Sequence, residues 1–249
     1  MMRFITLAAL AAGLLGSAVA QVNYTGGTYT QNFDSLLATG TSNAWTDNST
    51  ITGWFINKAV YAADTGSSNT GRFYSYGASS TDAERALGTV ASGGSGTNLF
   101  GANFLNGLGA NAVSFNLQYV GEQWRDGNNT TQQKLTFEYS LDATSLSDGT
   151  WTAVALLDFT GPKATTTAGA LNGNLAENRA SLSETVTLSS DWASNASLWI
   201  RWTDLNDAGN DHGLAVDDLS FSAQPVPEPA TLAALGLGAM ALIRRKRNK

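Results

Sequence analysis

The side chains able to do chemistry in this 249-residue chain are carboxylates, amides and indoles. It has no cysteine and a single histidine, His212. Thiol nucleophiles and thiolate metal sites are therefore excluded, and a zinc site would lack nitrogen and sulfur partners. A Ser-His-Asp triad would have to use His212, yet no Gly-x-Ser-x-Gly elbow leads into a helical pattern. His212 reads as a solvated turn residue. The densest polar run is Asp204-Leu-Asn-Asp207-Ala-Gly-Asn210-Asp211-His212-Gly213, followed by Asp217-Asp218. Calcium takes six to eight oxygens from such groups. No glutamate closes this run where an EF-hand needs one, and an acidic hairpin turn has the same composition for backbone reasons. Both readings stay open. Glu84, Glu122, Glu138, Glu177 and Glu184 are the pool from which a glycosidase pair would be drawn. Their spacing singles out no pair at the separation that chemistry needs. The chain is therefore read as non-enzymatic, with no catalytic residue assigned.

Seven tryptophans, at 45, 54, 124, 151, 192, 199 and 202, offer flat apolar faces of the kind that cover sugar rings. Trp124, at a strand end in Gly121-Glu-Gln-Trp-Arg-Asp126, has polar neighbours and is the expected exposed ligand-binding residue. Trp199 and Trp202 have opposite parity, so one of the two should face away from the core.

Short aromatic-rich runs between Gly/Ser/Thr/Asn clusters read as an all-β domain. The clearest strand is Ala112 to Glu122, where Val113, Phe115, Leu117 and Tyr119 alternate with small or polar residues. Lys134–Leu141 and Ser197–Asp204 repeat the pattern. Thr28–Asp34, Gly53–Tyr61, Arg72–Tyr76, Trp151–Phe159, Glu184–Leu188 and Leu214–Phe221 complete the set. Thr160–Ser181 is the longest irregular stretch, with a helical turn expected near Leu175–Ala180. At Asp217-Asp218 the parity of the apolar residues changes, which requires a bulge or a strand buried on both faces. Two sheets packed face to face, a jelly-roll-type β-sandwich over residues 21–222, would bury these aromatics.

The two ends have a different character. Arg3, an apolar run from Phe4 to Leu15 and Ala18-Val-Ala20 form a secretory signal peptide over residues 1–20, cleaved after Ala20. Six of the fourteen Lys and Arg lie in the two ends, leaving eight against nineteen Asp and Glu between residues 21 and 224. So acidic a body argues against a nucleic-acid partner. With no cysteine it has no disulfides, so packing or a bound metal must stabilise it. At the C-terminus a linker (223–229) contains Pro227-Glu228-Pro229. An apolar segment (230–243) follows, then a basic tail (244–249) with Arg244, Arg245, Lys246 and Arg247. Fourteen helical residues span roughly 21 Å, short of a ~30 Å hydrocarbon core, so this is a marginal transmembrane helix. The basic tail would stop transfer and stay cytoplasmic.

This C-terminal order closely resembles the PEP-CTERM sorting signal of Gram-negative bacteria. The resemblance implies a transient inner-membrane intermediate, processing by an exosortase that recognises Pro227-Glu228-Pro229, and delivery to the cell surface or extracellular matrix. More diffusely, Gln31-Asn-Phe-Asp-Ser-Leu36, Gly53-Trp54, Glu84-Arg-Ala-Leu-Gly88 and Leu198–Phe221 resemble bacterial extracellular jelly-roll modules. That likeness implies a partner in extracellular polysaccharide. It also implies a structural calcium between first and last strands, with Asp34 and Asp217 or Asp218 as ligands. A secreted polysaccharide hydrolase and a purely structural matrix component are the alternatives.

Overall fold

The computed structural model describes residues 21–225. The expected signal peptide with Ala18 and Ala20, the Pro227-Glu228-Pro229 motif, the apolar segment and the basic tail lie outside these residues. The described chain is an all-β sandwich, and its only helical turns are the 3-10 segments Ala155–Leu157 and Ala176–Asn178.

The seven-stranded sheet has the order Val22–Tyr24, Asn98–Asn106, Ser197–Asp204, Lys134–Ser140 and Thr152–Ala153. Trp54–Ile56 and Phe159–Thr160 add at its edges. The nine-stranded sheet centres on Ala112–Asp126 and Gly213–Pro225. It continues through Ala86–Val90, Arg72–Tyr76 and Val60–Asp64, and Arg179–Trp192 flanks the other side of Ala112–Asp126. Alternation determines the inner faces. Phe115, Leu117 and Tyr119 meet Phe137, Ile200 and Trp202 in one buried cluster. Trp202 lies at its centre, stacked with Trp54 (6.1 Å) and Phe100 (5.6 Å) and met edge-on by Tyr119 and Phe137 (5.2 Å each).

The parity change at Asp217-Asp218 is a bulge. Asp217 pairs with Val120 and Ser220 with Gln118, so one residue is extra, and Asp218 takes φ 46°. Leu214 and Val216 before it, and Leu219 and Phe221 after it, thus all face the core, while Asp217 points to the outer face.

Three expectations are corrected. Gly53–Tyr61 divides in two: Trp54–Ile56 joins the seven-stranded sheet and Val60–Asp64 the nine-stranded one. Trp151–Phe159 is not one strand: the chain turns at Ala155–Leu157, buries Leu157, and Tyr119 donates to the Leu157 carbonyl (2.6 Å). Ala86–Val90 and Asn98–Asn106 are strands that period-two alternation does not reveal, because both are buried on the two faces. The irregular stretch after Thr160 does carry its short turn, at Ala176–Asn178.

Candidate functional site

The outer face of the nine-stranded sheet is where acidic groups converge. Since Phe115, Leu117 and Tyr119 point inward, Glu122 and Trp124 on the same strand point outward. The bulge aims Asp217 at them from the neighbouring strand, and Glu84 arrives from the residues before Ala86–Val90. One oxygen from each of Glu84, Glu122 and Asp217 lies within 4.8 Å of the others. The Trp124 indole N–H donates to Glu122 Oε2 (2.9 Å), the Asn174 amide donates to Glu84 Oε2, and an Arg179 nitrogen lies 4.0 Å from Glu122 Oε1. Glu122 Oε1 and Asp217 Oδ1 are buried with no hydrogen-bond partner, on side chains only 1% and 3% exposed. Burial raises Glu122 to about 7, against the lowering effect of the Trp124 hydrogen bond. Burial raises Asp217 further, to about 10, and the Glu84 carboxyl beside it pushes the same way.

This face is roofed rather than open. Tyr74, Tyr76 and Trp124 stack in a row, with centroids 5.0 and 5.6 Å apart. The Leu171 N–H donates to the Trp124 carbonyl (2.8 Å), and a Cβ on Gly173 would sit 2.4 Å from the indole, so only glycine lets the backbone pass. From the other side Arg125 donates to the Gly66 and Ser67 carbonyls. Trp124, expected as an exposed ligand platform, is therefore corrected to a fully buried residue.

The remaining expected positions separate. Asp34 is exposed, and its carboxylate accepts from the Arg85 N–H (3.0 Å) and the Asn32 amide (2.6 Å). Asp218 is exposed on the bulge, bordering a groove with Gln31 and Asn32. Asp34 and Asp218 are thus outside the cluster that holds Asp217. In the loop after Asp204, Asp211 accepts from the Asp207 N–H (2.9 Å) and Asn129 donates to the Ala208 and Asn210 carbonyls. The hydrogen bonds fit an acidic turn. His212 is corrected from a solvated turn residue to a fully buried one. Its Nδ1 accepts from the Gly127 N–H (2.9 Å). The neutral ring thus carries its proton on Nε2, and the 3.7 Å approach to Asp126 is no ion pair. Burial holds its pKa below the usual histidine value.

A second feature lies on the outer face of the seven-stranded sheet. Trp199, of opposite parity to Trp202, packs there with Phe55 (4.7 Å), Ala143 and Leu146. Phe55, Leu146 and Trp199 line an open groove of about 350 Å³ whose rim carries Asp47, Asn57, Thr144, Ser145 and Ser147. Half-buried Trp151 closes the same cluster under the Arg201 guanidinium, 3.8 Å from its ring, and Glu138 holds Arg201 at 2.7 Å. Strand parity pointed to an outward-facing tryptophan here, but not to the loop that folds over it.

Several solved β-domains are similar at low identity. The CBM22-1 xylan-binding domain of Xyn10C from Paenibacillus barcinonensis is 10% identical with a TM-score of 0.41, over 84% of this chain and 99% of that one. The K2 cleaved adhesin domain of Lys-gingipain is 10% identical with a TM-score of 0.42, over 79% and 99%. The K3 cleaved adhesin domain of the Porphyromonas gingivalis protein is 10% identical with a TM-score of 0.38, over 68% and 91%. No curated protein matches the chain in sequence. The C-terminal order of Pro-Glu-Pro, apolar run and basic tail is matched directly by a family model, which implies an exported protein. Over residues 225–247 this chain carries a PEP-CTERM protein-sorting motif.

Proposed function

We propose that this protein is delivered to the cell surface or extracellular matrix, where it binds extracellular polysaccharide without catalysis. The observation that carries the binding reading is the groove over Phe55 and Trp199. Its rim of hydroxyls, an amide and a carboxylate suits a sugar's polar edges, over an apolar lining in which Phe55 is 8% and Trp199 1% exposed. The acidic cluster is the feature that would favour a hydrolase, since a raised carboxyl is what a general acid needs. Glu122 and Asp217 are 1% and 3% exposed, and a catalytic pair must reach its substrate. That burial supports binding over turnover.

Ser147 is an exposed rim residue. Ser147→Arg is expected to fill the groove and weaken retention on the host's own polysaccharide at least about tenfold, a loss of ~1.4 kcal/mol. Thermal unfolding should be unchanged. Release of reducing ends by the wild type would favour the hydrolase instead.

Delivery is tested separately. Exchange of Pro227, Glu228 and Pro229 for alanine is expected to leave full-length protein in the inner membrane, read by immunoblot of fractionated cells. Normal processing and release of that variant would contradict the exosortase step.

A further inference from the structure

We propose that Glu84, Glu122 and Asp217 form a binding site for a divalent cation, best suited to calcium, on the outer face of the nine-stranded sheet. Their ligand oxygens lie within 4.8 Å of one another. Oxygens on opposite sides of a calcium ion are about 5 Å apart, given bonds of roughly 2.3–2.6 Å. The cluster alone would not make a site. What points to a ligand is that Glu122 Oε1 and Asp217 Oδ1, on two of the three side chains, are buried and have no hydrogen-bond partner. An isolated buried carboxylate oxygen is costly, and one cation would satisfy both. The protein cation beside them, Arg179, approaches Glu122 Oε1 only to 4.0 Å and is itself half-exposed. All three side chains offer oxygen, so the site favours a hard cation over zinc or copper.

The position gives the ion a structural consequence. Glu122 and Asp217 stand on paired strands, and Glu84 leads into the strand beyond them. Asn174, which donates to Glu84, belongs to the segment roofing Trp124. A cation here would tie three strands and that roof together. This ligand set is distinct from Asp34 and Asp218, which are exposed; Asp34 already accepts two hydrogen bonds.

The test is calcium binding by equilibrium dialysis, with thermal unfolding in chelator and in about 1 mM calcium. One ion per chain and a rise in Tm of about 5 °C are expected for the wild type. A Glu122→Gln/Asp217→Asn double variant should lose both, as should Glu84→Gln, which changes a less buried residue. An Asp34→Asn/Asp218→Asn variant should keep both. An unresponsive wild type, a response surviving in Glu122→Gln/Asp217→Asn, or one abolished in Asp34→Asn/Asp218→Asn would overturn the proposal.

Discussion

Trp202→Ala is expected to destabilise the domain by about 4 kcal/mol, the upper part of the range for emptying a buried aromatic site. Trp202 is fully buried and touches aromatic rings from both sheets: Tyr119 on one side, and Trp54, Phe100 and Phe137 on the other. Its removal takes away those contacts together and leaves a cavity that four rigid rings cannot collapse to fill. A loss of that size is a large part of the ~5–15 kcal/mol that holds a typical domain folded. Equilibrium urea unfolding measures it through the shift in midpoint at unchanged slope. A loss below about 1 kcal/mol would mean that the sandwich does not depend on this stack.

The second large effect concerns pH. In chelator, stability should fall as pH rises from about 4.5 through 7. Glu122 is raised to about 7 from a usual value of 4.5. The folded state therefore holds its proton more tightly than the unfolded chain does. That contribution is fully present below about 4.5 and lost as pH passes the folded value. The shift corresponds to about 3 kcal/mol. Asp217, Asp204 and Asp211, all raised chiefly by burial, act in the same direction. His212, held low by burial, opposes them only where pH falls below its ordinary value. Glu122→Gln keeps the shape and removes the charge. It should make the domain more stable than wild type at pH 8 in chelator, by about 2–3 kcal/mol, with little difference at pH 4. A wild-type stability that rises between pH 5 and 8 would contradict the buried-carboxylate account.

Much of the sandwich was legible because residues 112–119 and the strand Lys134–Ser140 bury mainly one face. Ala112–Asp126 and Lys134–Ser140 show alternation, and Asp217-Asp218 betrays its bulge by breaking it. Ala86–Val90 carried no such signal, being covered on both faces. The acidic cluster was harder to see. Glu122 and Trp124 share a face by parity, but Glu84 joins them through strand order, which spacing along the chain does not encode. Trp124 looked exposed because its neighbours are polar. Glu122 instead takes its indole N–H, and Gly173 passes over its ring. Likewise His212 sits in a polar loop, yet Gly127 and Gln133 enclose it: the Gly127 N–H donates to its ring and its own N–H donates to Gln133 Oε1.

The most direct test of the proposed role is depletion of the exported protein from solution by the host's own extracellular polysaccharide, for wild type and Ser147→Arg side by side. The account predicts saturable depletion of the wild type, and at least about tenfold weaker depletion of the variant. Wild-type protein left wholly in solution, or a variant depleted equally well, would contradict a glycan-binding groove over Phe55 and Trp199.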